Sequence, residues 1–161
     1  KYLLTYERTN IAGVGLSAAA LARLKQVAAV QVRNGLPLAQ DPAFAARMAR
    51  VEIDFENMKT TNLRVLAAVA GGGGPGAESS MLKIRGTEIR QEIFSLTRRA
   101  MGVYAQPFTE AAMQRDSGEE PFGPPGAMAA SPQYFNNRKL SIYGGSNEVQ
   151  RNIISKMILG L

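Results

Sequence analysis

The chain has 161 residues, of which 45% are hydrophobic and 7% aromatic, with no Trp and a formal net charge of +6. It contains no His and no Cys, which excludes a Ser-His triad, a thiol nucleophile, a disulfide and any His/Cys zinc or haem site supplied by this chain alone. The length predicts one domain with a real core, and an Ala-rich, aromatic-poor composition predicts an all-α fold over a sheet of β-branched strands.

The basic residues, which raise the isoelectric point to about 9.9, are scattered among acids along helices and do not gather into aromatic-interleaved patches. Nucleic acid is therefore not an expected partner, although a nucleotide phosphate is compatible with the charge. No apolar run is long enough to span a membrane and no signal peptide is visible, so the default location is cytoplasmic. The sequence opens at Lys1 inside an apolar periodic pattern and without Met, as expected of a piece of a longer protein.

In chain order, the first helix is predicted from about Lys1 to Asn34. Leu4, Glu7, Ile11, Val14, Ala18, Leu21, Lys25, Ala28 and Val32 recur three and four apart as one face, and Gly35 and Pro37 stop it. Asp41-Pro42 opens a second helix with an N-cap followed by Pro at the first helical position. Its stripe is Phe44, Met48, Val51, Phe55, Met58, Asn62, Val65 and Val69, a regularity suited to a bundle. Asn62, the one polar member, reads either as a register-setting core amide or as a ligand-facing group. The glycine run at 71–76 lacks the strand before it and the Lys-Ser/Thr after it that a phosphate loop needs, so it is a linker.

A third helix follows from about Glu78 to Met101, with Leu82, Gly86, Ile89, Ile93, Leu96 and Ala100 on its seam and Gly86 implying close helix approach. A short helix over Pro107–Gln114 and an irregular loop over Asp116–Ala130 are expected next. Ser131-Pro132 restarts a helix carrying Tyr134, Phe135, Arg138 and Leu140. The last helix, Asn147 to about Ile158, presents Val149, Ile153, Ile154, Met157 and Ile158. The sum is an up-down bundle of three long helices with shorter C-terminal ones.

Two places could carry chemistry. Glu7 lies on a predicted buried stripe, where desolvation raises a carboxyl pKa toward the range of a general base; the alternative is a core-edge Glu ion-paired with a neighbour. Arg8 points about 100° away on a helix and is a poor direct partner. At the other end, Gly144-Gly145 stand where an apolar run stops and a helix begins, with Ser146 as N-cap. Bare backbone N–H groups there suit an oxygen anion or a polarised carbonyl; the alternative is a simple helix corner.

Tyr6-Glu7-Arg8-Thr9-Asn10-Ile11-Ala12, the Asp-Pro-opened second helix, and the run Ile142-Tyr143-Gly144-Gly145-Ser146-Asn147-Glu148-Val149-Gln150-Arg151-Asn152-Ile153-Ile154 together resemble the C-terminal helical domain of the flavin-dependent acyl-CoA dehydrogenases. The resemblance covers essentially residues 1–161, with the family's N-terminal helical and middle β-domains absent from this chain. Most of the family place the catalytic Glu directly after the Tyr, where this chain has Gly144. The isovaleryl-CoA and long-chain type carry it before an Arg on the first long helix, and Glu7-Arg8 falls on that position.

The resemblance implies FAD-dependent α,β-dehydrogenation of an acyl-CoA thioester, as in fatty acid β-oxidation. Glu7 would be the base, the Gly144 N–H would polarise the carbonyl, Tyr143 would line the acyl pocket, and Arg8 would support the site. Ser146 and Glu148 would contact FAD, and no metal is implied. Electron-transfer flavoprotein is the implied acceptor, and a homo- or hetero-oligomer the implied assembly. The family's Arg-x-x-Phe-Gly, which reaches a neighbouring subunit's FAD, is replaced by Arg33-Asn34-Gly35-Leu36-Pro37, so that contact is expected to be altered or absent. A non-catalytic subunit completing a partner's flavin site, and a flavin oxidase or monooxygenase, are the competing readings. The 161 residues alone are expected to fold but to be inactive.

Overall fold

The computed structural model describes residues 12–74, 76–110, 114, 118, 120 and 122–161. Among them are five α-helices and one two-stranded hairpin, in an all-α up-down bundle. Helix α1 spans Val14–Val30, α2 Pro42–Ala70, α3 Glu78–Met101, α4 Ala127–Asn136 and α5 Asn147–Ile154. The first predicted helix is interrupted at Gly13 and ends earlier than expected, while its predicted start at Lys1 lies outside the described residues. Gly13 adopts a left-handed φ of 57°, so α1 starts only at Val14. It buries Ser17, Leu21, Leu24 and Ala28, while Ala18 and Lys25 are exposed. Lys25 instead reaches across to Glu52.

Beyond α1 the chain makes an antiparallel pair, β1 (Val32–Arg33) with β2 (Leu36–Pro37), where a continuation of the helix and then a stop were expected. Asn34 at φ 53° and Gly35 at φ 79° form the two-residue turn, whose doubly positive φ is what Asn-Gly supplies most readily. A 3₁₀ turn over Leu38–Gln40 buries Leu38 and delivers Asp41, which accepts from the Phe44 N–H at 2.8 Å as the cap of α2.

The expected seams of α2 and α3 are observed. Phe44, Val51, Phe55 and Met58 are buried on α2, and Asn62 is half-buried with an Oδ1 that meets no described donor. On α3 all six seam residues are buried, and five of them, Leu82, Ile89, Ile93, Leu96 and Ala100, join Leu21, Leu24 and Ala28 in one core. Gly86 sits against the Ala12 carbonyl, the close approach its sequence position implies. Every other α-helix packs on α3.

The C-terminal third departs more. Pro107–Glu110, the described start of an expected short helix, are not helical. Helix α4 begins at Ala127 and not at Ser131-Pro132: Gly126 at φ 86° starts it, and Pro132 lies inside it at the loss of one backbone hydrogen bond. Met101, Ala105, Ala127 and Ala130 form a second small core beneath it. A 3₁₀ turn over Asn137–Ser141 then leads to the glycine corner and α5, which runs on into a π-helical turn at Ser155–Leu159. The inward face of α5 is corrected too. Asn147 and Gln150 are buried, whereas Val149, Met157 and Ile158 are exposed and Ile153 and Ile154 half-buried.

Candidate functional site: the glycine corner and its anchors

The corner is built by two successive left-handed residues, Gly144 at φ 69° and Gly145 at φ 84°. Both are exposed, and no described residue accepts from either N–H. A side chain at either position would be strained, and one at Gly145 would also meet the Gln150 amide at 2.7 Å. Ser146 caps α5 as expected, its hydroxyl accepting from the Val149 N–H at 3.4 Å. Gln150 reaches back from the next turn and donates to the Gly144 carbonyl at 3.3 Å, so this peptide is held by its oxygen, while the Gly144 and Gly145 N–H groups have no acceptor among the described residues.

Glu148 lies in the first turn of α5, fully exposed. Its own backbone N–H and the Ser146 hydroxyl hold its carboxyl below the usual carboxylate range, helped by Arg151 and Lys83. Tyr143 is exposed beside the corner and near Arg90, whose pKa burial lowers and Tyr143 partly restores. Arg90 in turn donates to the Gly13 carbonyl at 3.1 Å, so the turn that ends the N-terminal segment and the corner that starts α5 meet the same helix, α3. Glu7 and Arg8 lie outside the described residues.

Sequence reading missed how the corner is held. Lys83, Thr87 and Gln91 recur four apart on α3, a polar stripe beside the apolar seam. Lys83 Nζ donates to Asn147 Oδ1 at 2.8 Å, and Asn147 Nδ2 donates to Thr87 Oγ1 at 3.2 Å. Gln91 Nε2 donates to the carbonyls of Asn137 and Arg138 at 3.2 and 3.1 Å, and Arg138 returns a bond to the Gln91 carbonyl at 3.0 Å. Lys83, Thr87 and Asn147 are all buried, and burial lowers the Lys83 pKa, opposed by Glu148. Outside this stripe, Glu88 on α3 meets Arg151 on α5 at 3.3 Å, an exposed pair of small energetic value. The signal that could have found the stripe is the four-residue spacing of polar residues inside a helix already assigned to the core.

The replaced Arg-x-x-Phe-Gly segment also has a definite fate. It forms the β1–β2 hairpin, and Arg33 Nη2 donates to the Arg99 carbonyl at 3.1 Å, at the C-terminal end of α3 of its own chain.

The family comparison places this helical bundle. The family described as acyl-CoA dehydrogenase, C-terminal domain, matches residues 1–159, and the chain belongs to it. Among curated proteins it is similar to acyl-CoA dehydrogenase FadE26 of Mycobacterium tuberculosis, at 32% identity over 120 residues, covering 71% of this chain and 27% of that protein. Among solved structures it resembles an acyl-CoA dehydrogenase from Geobacillus kaustophilus, with a TM-score of 0.75 at 20% identity over 98% of this chain and 37% of that one. It equally resembles PigA with FAD and proline, with a TM-score of 0.75 at 16% identity over 98% of this chain and 37% of that one. The chain thus spans about a quarter to a third of the length of these relatives. No described helix is long and apolar enough to cross a membrane, and the described residues hold no cluster of metal-ligating side chains.

Proposed function

We propose that this domain forms one wall of a site at which an acyl-CoA thioester loses hydrogen from its α and β carbons. The Glu7 carboxylate takes the α-proton as the Cα–H bond breaks, and Arg8 supports Glu7 in place. As that proton leaves, negative charge grows on the thioester oxygen, and the Gly144 N–H donates to it, in the manner of an oxyanion hole. The β-hydrogen departs as hydride and the Cα=Cβ bond forms. Tyr143 borders the acyl chain.

FAD, when bound, supplies the two-electron sink that accepts the hydride. The residues present fit it in one respect and limit it in another. The start of α5 offers the Ser146 hydroxyl and free N–H groups, but Glu148, held ionised, repels phosphate. The part of the cofactor met by Ser146 and Glu148 is therefore a hydroxyl-bearing or ring portion and not the pyrophosphate. Electron-transfer flavoprotein takes the electrons onward, and the domain works within an oligomer in the cytoplasm.

The observation that carries this reading is the Gly144 N–H, exposed, without a Cβ beside it and without a described acceptor, on a corner anchored from beneath. A second reading is a non-catalytic subunit of a mixed oligomer: Arg33 is engaged with the Arg99 carbonyl of its own chain, so a second protein would supply the contacts that hold the flavin. Anaerobic bleaching of flavin in the flavin-loaded full-length protein by a panel of acyl-CoAs separates them, with free proline as a control because PigA was solved with FAD and proline. Acyl-CoA should bleach the wild type, and Glu7→Gln should slow bleaching by about 10²–10⁴-fold, the range of a lost general base. Equal bleaching by both would remove Glu7 as base, and failure to hold flavin without a second protein would favour the subunit reading.

A further inference from the structure

Lys83 has no role in the chemistry just described, yet the fold buries it almost completely, at 2% exposure. A lysine ammonium in that position is costly, and a Met or Leu of similar volume would pack against α5 without that penalty. Of its three donors, one has a described acceptor, Asn147 Oδ1 at 2.8 Å. That acceptor is the first residue of α5, two residues beyond Gly145.

The Lys83 ammonium faces the Asn147 oxygen, while Thr87 Oγ1, whose hydroxyl donates to the Ile84 carbonyl at 2.8 Å, lies 3.2 Å from Asn147 Nδ2 and 3.3 Å from Asn147 Oδ1 and so does not itself distinguish the two ends of the amide. A cation accepts no hydrogen bond, so Lys83 fixes which end of the Asn147 amide points inward, and a neutral partner could not do so as strictly. The charged groups facing this cluster are Glu148 from α5 and, one turn along α3, Glu88 in its pairs with Arg85 and Arg151.

We propose that Lys83 is a positioning residue for the glycine corner: through Asn147 it sets the angle at which α5 begins and thereby the direction of the Gly144 and Gly145 N–H groups. The catalytic consequence rests on the function proposed above, while the structural consequence does not. The corner is exposed and made of two glycines, and among the described residues the side chain that holds it is Gln150 of α5, so its direction follows the start of α5.

The test has two arms. In the first, nitrogen–proton residual dipolar couplings and heteronuclear relaxation of Gly144 and Gly145 are compared in the wild type, Lys83→Met, Lys83→Arg and Asn147→Leu. Lys83→Met and Asn147→Leu should change both glycines alike, the double variant should add little, and Lys83→Arg should lie nearer the wild type. Unchanged couplings in a folded Lys83→Met overturn the proposal; if that variant does not fold, Asn147→Leu decides by the same criterion. In the second arm, acyl-CoA turnover by the flavin-loaded full-length protein should lose about 10–100-fold in kcat in Lys83→Met while KM changes less than about threefold, since misdirection of a donor acts on the transition state. Loss confined to KM overturns the catalytic part. If no acyl-CoA reduces the wild-type flavin, the proposed function fails, and the first arm still judges Lys83.

Discussion

A β-carbon built on Gly86 would stand 2.5 Å from the Ala12 carbonyl oxygen, so helix α3 and the turn before α1 touch through bare backbone. Gly86→Ala should therefore destabilise the fold even though Ala is the better helix former by about 1 kcal/mol. The turn at Ala12–Gly13 would have to move, and overpacking of this kind costs about 1–3 kcal/mol. A urea midpoint unchanged or raised by the substitution would show that this contact is looser than described.

Ile93 and Leu24 are fully enclosed where α1 and α3 meet. Truncating either to Ala should cost about 2–5 kcal/mol, whereas Lys59→Ala, which breaks only the exposed pair with Glu56, should cost under about 1 kcal/mol. Chemical denaturation of the three variants side by side checks the ordering.

The cap of α2 is a single carboxylate. Asp41→Ala should lose about 1 kcal/mol by freeing the Phe44 N–H, and Asp41→Asn should recover most of it because the amide oxygen can accept the same bond. Equal losses in both variants would point to charge, not capping.

Burial lowers the Lys83 pKa below that of an ordinary lysine. Over the interval between that lowered value and the ordinary one near ~10.4, the unfolded chain binds more protons than the folded one, so stability should rise with pH there. Lys83→Met should flatten that limb in denaturation measured across alkaline pH. A limb of undiminished slope in the variant would assign the effect to other groups.

The three long helices were legible because their apolar residues keep phase over many turns, and Asp41-Pro42 and Ser146 announce their helices by composition alone. On α1 the expected Leu21 and Ala28 are buried, but Ser17 and Leu24 take the inward places expected of Ala18 and Lys25, because three- and four-residue steps place either neighbour near the same face and the sequence pattern alone does not choose between them. The Asn34-Gly35 hairpin was present in the sequence but was read as a helix stop, since its strands are only two residues long. The polar interior of α5 was hidden for a different reason: Asn147 and Gln150 are buried to bond Lys83 and the Gly144 carbonyl, partners far away or across a turn, and hydrophobic periodicity carries no information about such bonds. Glu7 and Arg8 fall outside the described residues, whereas the glycine corner lies within them.

The central place of α3 bears on the order in which the molecule is made. Helices α1 and α2 are both translated before it, and much of the apolar surface they bury is covered by residues from Leu82 to Ala100. A nascent chain that has reached the glycine linker therefore lacks the helix that covers the apolar faces of α1 and α2, and the 24 residues of α3 supply it. A pause in translation just before Glu78 would be the most hazardous moment in the life of this domain.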